Sequence, residues 1–369
     1  MRSDINTAKS TDKNNAKNRF RFAVFIIGIL LIIAYHVLKG LGLSKLMYYD
    51  FAKPVHSFLV SLCDHTSVCV GEVLIGICAV FLLIDIITEL VNIIKQPVKT
   101  LLSILLIICA SASIIYGGFC MLWGFYYAAP GVRGVCRITA DGVEHDDLIA
   151  TDRFFLEKAN EYSEKVARDS DGLYIMSDET FEHSLKLYEN VCVIYPGLED
   201  KVHRPKKVFF SKCVSLMDFT GFFFPFTGEA CINADSPDCM IPSTIAHELA
   251  HQRGIAAEDE ANFIGILACM EDGDPDYVYS ASLLALAHLQ SAVYKSGDRD
   301  AWQQIKDSYA SGVLADLSAN SEYWSAYRKN PVNRATSRTY DAFLKSYDQS
   351  MGLQTYGACV DYLVYYYGK

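Results

Sequence analysis

The sequence predicts a mainly α-helical membrane protein, in which three transmembrane helices precede a mostly helical domain with a small β segment. Most of the apolar excess lies before residue 130, in the runs 22–37, 70–94 and 101–129. With its flanks, each run reaches or approaches the length of about 20 residues that a membrane-spanning helix needs. After residue 130, apolar residues recur at spacings of three and four, which is typical of amphipathic helices.

A basic tail and a basic loop predict the orientation of the spans. Six cationic residues precede the first span: Arg2, Lys9, Lys13, Lys17, Arg19 and Arg21. The loop between the second and third spans, KQPVK, contains Lys95 and Lys99 without an acid. Lys and Arg favour the cytoplasmic side, so both segments belong inside. No small-x-small cleavage site follows the first run, which favours an uncleaved span over a signal peptide.

Three domains follow from this orientation. We expect a basic cytoplasmic tail over 1–21, a membrane domain over 22–130 and an extracytoplasmic domain over 131–369. Residues 131–369 contain 22 Lys+Arg and 36 Asp+Glu, a net charge of −14, whereas the other residues carry a net charge of +4. So acidic a domain disfavours nucleic acid and anionic lipid as general partners. The spans make the lipid bilayer a partner, and the sequence leaves the oligomeric state open.

The second span contains two acidic residues, Asp85 and Glu89. An ionisable group inside a span indicates a functional role by default. The alternative is that both carboxylates lie near the inner end of the span and reach interfacial water or Lys95. Only one turn separates Glu89 from the polar loop, which favours the second interpretation.

Twelve cysteines leave the redox state of the chain open. Cys63 and Cys69 flank a short outer segment, and Cys231 and Cys239 bracket INADSPD. In an oxidising exterior either pair could form a disulfide, whereas an anaerobic source would leave all cysteines reduced.

The domain after the spans is expected to be helical on both sides of a Phe-rich tract. Amphipathic helices are predicted over 146–170 and 177–191. The tract 204–238 is broken by Gly and Pro and predicts short extended segments and turns. Further helical blocks are predicted over 242–253, 257–271, 275–295, 298–329, 333–349 and 354–367.

The stretch HELAH, residues 247–251, carries the strongest chemical signal. On a helix, His247 and His251 lie one turn apart on one face, so both can bind one metal ion, while Glu248 can reach a water there as general base. A catalytic zinc site uses three protein ligands and keeps one position for water. The alternative interpretation is a core helix whose two histidines are satisfied by hydrogen bonds.

Gly254 indicates where a third ligand would come from. A glycine three residues after His251 can adopt a positive φ, end the helix and turn the chain back towards the metal. Glu258 then stands at the start of a second helix. Asn262, one turn further on, can point at the same site and hydrogen-bond a ligand histidine. The sequence therefore predicts Zn²⁺ as the cofactor.

Two sequence blocks resemble a known family. HELAHQRGIAAEDEANF, residues 247–263, and the preceding MDFTGFFFPFTGEACIN, residues 217–233, are similar to bacterial membrane proteins of the Domain of Unknown Function 3810 family. The likeness covers nearly the whole chain, including the basic tail, the three spans and the tract 340–368. The resemblance implies a bacterial cell membrane location and a zincin-like, metallopeptidase architecture without an established substrate.

A second resemblance bears on the third ligand. The segment EDEAN, residues 258–262, is similar to the Glu-x-x-Ala-Asn/Asp helix of gluzincin peptidases, whose first Glu binds zinc, and that role falls on Glu258. Asp259 and Glu260 compete, with Glu260 as the fallback. The spacing departs from gluzincins, which usually have a longer insertion between the two helices. The Gly turn resembles that of metzincins, where a His would stand at position 257, which is Ala here.

Three more residues are candidates for the site. Glu229, in PFTGEACIN, lies on a predicted extended segment that could line the cleft, or it is a turn carboxylate. A tyrosine from the C-terminal helices would suit stabilisation of an oxyanion, and Tyr340 and Tyr356 lie in the family-like tract.

The expected function is zinc-dependent hydrolysis of peptide bonds in a peptide or protein substrate, on the extracytoplasmic side of the membrane. Glu248 would take a proton from the attacking water and return it to the leaving amine. One alternative is a membrane sensor or binding protein whose zincin domain cleaves little. Another is a structural zinc site, which an intact Glu248 argues against because a structural ion needs no base beside it.

Overall fold

The computed structural model describes residues 2–91, 93–138, 143–328, 330–346 and 356–368, and leaves out the side chains of 2–14, 340, 341, 343–346 and 356. The chain is mainly helical, with 72% helix and 4% strand. It forms two compact units. One contains Met1–Leu59, Val70–Ala128 and Pro225–Thr227, and the other contains Val60–Cys69, Ala129–Phe224 and Gly228–Lys369.

The first unit contains the expected long apolar helices. Its elements are α1 (Arg2–Gly40), α2 (Ser44–Met47), a π turn (Tyr48–Ala52), α3 (Lys53–Cys63), α4 (Val70–Leu90) and α5 (Pro97–Leu122). Among the described residues, three segments are long and apolar enough to cross a membrane, namely Asn15–Gly40, Val70–Leu90 and Pro97–Ala128. This agrees with the expected membrane protein with three spans.

Small residues let α1 and α5 approach closely. A Cβ on Gly28 would lie 2.4 Å from the backbone carbonyl carbon of Ser113, and one on Gly117 would lie 2.6 Å from the carbonyl oxygen of Gly28. Close backbone approach at small residues is a main source of helix association in lipid. The two glycines therefore fix how α1 and α5 pack.

The carboxylates of α4 pair with the first span and not with Lys95. The guanidinium of Arg21 lies 2.5 Å from Asp85 and 2.8 Å from Glu89. Asn18, one turn earlier on α1, donates to Ser103 of α5 at 3.1 Å. Both carboxylates therefore pair with Arg21 of α1, whereas the sequence had suggested Lys95 as their cation.

The second unit contains the remaining helices and the sheet. Its helices are α6 (Gly131–Val135), α7 (His145–Ser163), α8 (Thr180–His183), α9 (Glu189–Ile194), α10 (Ser211–Leu216), α11 (Ile241–Gln252), α12 (Glu258–Asp272), α13 (Pro275–Ser296), α14 (Arg299–Asp307), α15 (Ser311–Tyr327), α16 (Pro331–Ser346) and α17 (Tyr356–Tyr367). One continuous apolar core joins residues of α7, α11, α12, α13 and α17. The site described below is built on α11 and α12.

A three-stranded sheet completes this unit, in the order β1-β3-β2. Strand β1 (Lys206–Lys207) is parallel to β3 (Glu229–Ile232), and β2 (Gly221–Phe224) is antiparallel to β3. All four residues of β3 are buried, because it is the central strand. The expected small β segment therefore exists, but the tract 204–238 also contains α10, whose Val214 packs against Cys69 and Cys231.

Two predicted helices are interrupted by tertiary contacts. The block 177–191 is divided into α8 and α9, and contacts with α13 hold the start of α8, where Tyr277 donates to the carbonyl of Thr180 and Asp276 accepts from its hydroxyl. The block 298–329 is divided into α14 and α15. Asn160 of α7 caps this break, since its amide donates to the carbonyl of Ser308 and accepts from the amide of Ala310.

The cysteines do not form the predicted pairs. All twelve are free thiols, so neither Cys63–Cys69 nor Cys231–Cys239 is a disulfide. The thiol of Cys69 instead lies 2.9 Å from that of Cys231, and both are buried. The fold brings together these two cysteines, which are 162 residues apart in the chain. Their spacing in the sequence does not reveal this contact.

Candidate metal centre

Helix α11 carries the HExxH residues and is almost entirely buried. Pro242 lies in its first turn, where its missing N–H leaves no helix hydrogen bond unmade. All residues of the helix except His247 and Gln252 are buried. Tyr188 donates to the carbonyl of Ala246 at 2.7 Å, and Ser280 of α13 accepts from the amide of Ser243 at 3.0 Å. The core therefore holds α11 from two sides.

The turn after α11 positions the second histidine. Gly254 has φ +97°, its amide donates to the carbonyl of His251 at 3.0 Å, and the amide of Ile255 donates to the carbonyl of Ala250 at 3.2 Å. These bonds are those of a Schellman helix end, for which glycine is favoured. The turn also brings the carbonyl of Ile255 to 2.7 Å from Nδ1 of His251. With the proton on Nδ1, the Nε2 atom is left as the metal-binding nitrogen.

Glu258 faces both histidines. Its carboxylate lies 3.2 Å from Nε2 of His247 and 3.7 Å from Nε2 of His251. One donor atom from each of the three residues lies within 4.8 Å of the others, close enough for one metal ion. Two imidazole nitrogens and one carboxylate oxygen are the donor set of a catalytic zinc site, so these residues fit Zn²⁺.

A glycine brings the two helices of the site into contact. A Cβ on Gly265 of α12 would lie 3.0 Å from the backbone nitrogen of His247. Glu258 begins the same helix, two turns earlier. The contact at Gly265 thus sets α12 against α11 so that its first residue reaches the histidines.

Glu260, the fallback ligand, is engaged elsewhere. Its carboxylate accepts a hydrogen bond from the backbone of Val132 and lies 3.4 Å from the hydroxyl of Tyr362. Burial raises its pKa above the usual range. Asn262 is buried one turn after Glu258, as expected, but the structure gives it no hydrogen bond to His247 or His251. Its predicted role of orienting a ligand is therefore not seen.

Electrostatics couple His251 to Glu258. Burial by itself lowers the pKa of His251, but the adjacent Glu258 carboxylate outweighs it and raises this pKa to about 9. Burial likewise acts to raise the pKa of Glu258, yet the two histidines hold it well below its usual range. In the absence of metal the pair is thus an imidazolium and a carboxylate, and metal binding must displace the imidazolium proton.

Glu248 is buried beside these residues. It accepts a hydrogen bond from the backbone N–H of Phe223 on β2, and burial raises its pKa to about 7. Its Oε2 atom has no hydrogen-bond partner among the described residues. A buried carboxylate oxygen without a partner is costly unless a further group occupies the site. The absence of a side chain at Gly221 of β2 leaves room beside the Glu248 carboxylate, because a Cβ there would lie 3.0 Å from its Oε1 atom.

The other predicted site residues lie elsewhere. Glu229 begins β3, so it lies on an extended segment as expected and is not a turn carboxylate, and it forms a buried ion pair with Lys206 of β1 at 2.7 Å. This pair could not be predicted from the sequence, because a lysine buried on a two-residue strand is unusual. Tyr340 lies in α16 and Tyr356 begins α17, and both side chains fall outside the described residues.

One histidine beside the site was not expected there. His288 of α13 is buried, and burial together with the charge of His247 lowers its pKa to about 4. It is thus a neutral imidazole near His247 at neutral pH. No short-range spacing marks it, because 41 positions separate it from His247.

Comparison with known proteins identifies the family. No curated protein and no solved structure matches the chain. The model of one family, described as protein of unknown function (DUF3810), matches residues 45–364, from before α3 to near the end of α17. The match includes α4, α5 and every residue of the candidate metal centre. The chain therefore belongs to the DUF3810 family of proteins of unknown function.

Proposed function

We propose that the protein is a membrane-anchored, zinc-dependent hydrolase of peptide bonds, with Zn²⁺ bound by His247, His251 and Glu258. The observation that carries the proposal is the convergence of these three donors next to Glu248, a buried carboxylate with one oxygen free of hydrogen bonds among the described residues. A structural zinc site has four protein ligands and no need of a base. Three ligands with an adjacent carboxylate are typical of a hydrolytic site.

The residues of the chain have distinct roles in this proposal. Zinc, when bound, would polarise the scissile carbonyl and lower the pKa of a water towards about 7. Glu248 takes the proton of the attacking water on its unpaired oxygen and passes it to the nitrogen of the leaving amine. The backbone N–H of Phe223 holds the other oxygen of Glu248 and so fixes the carboxylate.

The fold supports a zincin-like domain outside the cytoplasm. Helix α11 packs on both α12 and the small mixed sheet, and α11 and α12 supply the ligands, which is compatible with the zincin-like architecture that the resemblance implies. The basic tail and the loop with Lys95 and Lys99 favour the cytoplasmic side. With three spans, the domain that follows α5 then lies on the extracytoplasmic side of the bacterial membrane, where its substrate is a peptide or protein.

Cleavage by the purified, detergent-solubilised chain tests the proposal. A mixed pool of internally quenched peptides is incubated with wild type, Glu248→Gln and Glu260→Gln. We expect cleavage by wild type and Glu260→Gln, inhibition by a zinc chelator, and a loss of roughly 10²- to 10⁴-fold in Glu248→Gln, because the general base is gone. Equal cleavage by wild type and Glu248→Gln contradicts the proposal. A zinc-loaded wild type that cleaves nothing favours the sensor instead.

A further inference from the structure

An exposed aromatic loop follows strand β1. We call residues 207–212, KVFFSK, the Phe209–Phe210 loop. Phe209 is 83% exposed and Phe210 is 59% exposed, and their ring centroids lie 5.0 Å apart. Adjacent exposed aromatic side chains are unusual on a surface that faces only water and mark an interaction site. Leu216, at the end of α10, adds a further exposed apolar side chain.

The base of this loop is fixed to the segment that leads into α4. Val208 is buried in a cluster with Cys69, Val214 and Cys231. Just before the loop, the ammonium of Lys206 donates to the carbonyl of Cys63 at 2.6 Å. Both contacts are made to the segment Val60–Cys69 within one compact unit. Val208, the second residue of the Phe209–Phe210 loop, therefore packs on Cys69.

Cys69 is bonded to Val70, the first residue of α4 and of a candidate membrane span. The end of a membrane-spanning helix lies at the membrane surface. Because Val208 packs against Cys69, the loop lies close to the residue that directly precedes this candidate span.

The charges around the loop complement lipid headgroups. Residues 201–216 contain no Asp or Glu and five cationic residues: Lys201, Arg204, Lys206, Lys207 and Lys212. Arg204 pairs with Glu182 and Lys206 with Glu229. Lys201, Lys207 and Lys212 are exposed. In a domain of net charge −14, this local basic segment with aromatic rings is the combination that favours a membrane interface.

We propose that the Phe209–Phe210 loop inserts into the bilayer, with the two rings among the upper acyl chains and Lys207 and Lys212 at the level of the phosphates. The loop is thus a second membrane attachment, besides the spans. This inference rests on α4 crossing the membrane and is independent of peptide hydrolysis. The lipid covers the exposed rings of Phe209 and Phe210.

Depth-dependent fluorescence quenching in the full chain tests this inference. Wild type, Phe209→Trp and Tyr294→Trp are reconstituted into nanodiscs of phosphatidylcholine and phosphatidylglycerol, with and without brominated acyl chains. Tyr294 is a matched control, because it is a 47% exposed aromatic of the same unit that packs on Arg299. The signal of the three native Trp residues is subtracted using wild type. Acrylamide provides the opposite readout, quenching from water.

We expect the brominated chains to remove most of the added Trp emission in Phe209→Trp and little of it in Tyr294→Trp, while acrylamide acts mainly on Tyr294→Trp. Phe209→Trp emission that acrylamide quenches and brominated lipid does not would overturn the proposal. So would protection from both quenchers, since a second protein copy would then cover the loop. Equal quenching of both variants by brominated lipid would also overturn the assignment to this loop.

Discussion

Nδ1 of His251 lies 2.7 Å from the carbonyl oxygen of Ile255, a residue that reaches this position only because Gly254 turns the chain at φ +97°. The backbone turn that ends α11 is therefore also what orients a proposed metal ligand. Helix termination and metal affinity should depend on the same glycine.

Gly254→Ala should weaken both the stability of the helix end and the affinity for zinc. A Cβ at a positive φ costs about 1–2 kcal/mol, and displacement of the Ile255 carbonyl should lower zinc affinity by about 10- to 100-fold, as is usual when a group orienting a ligand is lost. Chelator competition measures the affinity and thermal unfolding measures the stability. Gly273→Ala is the matched control, since Gly273 has φ +83° at the end of α12 with open space around a Cβ. It should lose stability and keep its zinc affinity; an equal loss of affinity in both variants would refute the link.

Asp152 predicts a pH dependence of stability away from the site. Burial, only partly opposed by a hydrogen bond from Gln290, raises its pKa to about 7. The unfolded chain has an ordinary Asp pKa of about 3.9, so the folded chain binds more protons between pH of about 4 and about 7. The free energy of unfolding should therefore fall by a few kcal/mol as the pH rises through this window.

Asp152→Asn should flatten this dependence, because an amide stays neutral at every pH in the window. The variant should equal or exceed wild type in stability at pH 7, since it avoids ionising a buried group. Melting temperatures of both proteins between pH 4 and pH 8 measure the effect. The same slope in both proteins would show that another group is responsible.

Arg21 should be essential to the membrane helices. Arg21→Gln leaves the buried Glu89 without its cation and Asp85 with only the more distant Lys17, and removal of one partner of a buried ion pair typically costs about 3–5 kcal/mol. Unfolding in mixed detergent micelles measures the loss. Adding Glu89→Gln to Arg21→Gln should restore part of it. Lys17→Gln serves as the control, because Lys17 is 3.9 Å from Asp85 with a 40% exposed side chain, and it should change little. A loss as large in Lys17→Gln would argue against the pairing.

Cys69 and Cys231 should be the cysteines that oxidation joins. Their thiols are 2.9 Å apart, whereas the pairs suggested by spacing are not joined. If a small disulfide oxidant is present during refolding, two thiols transfer their hydrogens to it and a bond forms between these sulfurs. Peptide mapping without reduction should find the 69–231 link, and Cys69→Ser should abolish it. A 63–69 or 231–239 link instead would contradict the proximity of Cys69 and Cys231.

How much the sequence could predict depended on distance along the chain. The candidate centre was accessible because His247, His251, Gly254 and Glu258 lie within 12 residues and their geometry follows from one helix, one turn and the start of the next helix. Glu258 could be ranked above Glu260 only because Asn262 follows it by one turn and because of the resemblance. In the structure Glu258 faces the two histidines, whereas Glu260 accepts hydrogen bonds from Val132 and Tyr362.

Contacts between distant segments escaped prediction. Periodicity placed Glu229 on an extended segment but could not show that Lys206 would be buried beside it. The break between α14 and α15 depends on Asn160, about 150 residues earlier, whose side chain replaces helix hydrogen bonds. The three spans were predictable because lipid requires continuous apolar helices, whereas the Arg21 partner of Asp85 and Glu89 depends on how the helices pack.

The zinc content of the purified, detergent-solubilised chain tests the central claim most directly, with wild type measured beside His247→Ala, Glu258→Ala and Glu260→Ala. We predict about one zinc per chain in wild type and Glu260→Ala, and loss of zinc in His247→Ala and Glu258→Ala. A wild type that holds no zinc and takes up none on dialysis would contradict the account, as would a Glu258→Ala variant that keeps its zinc while Glu260→Ala loses it.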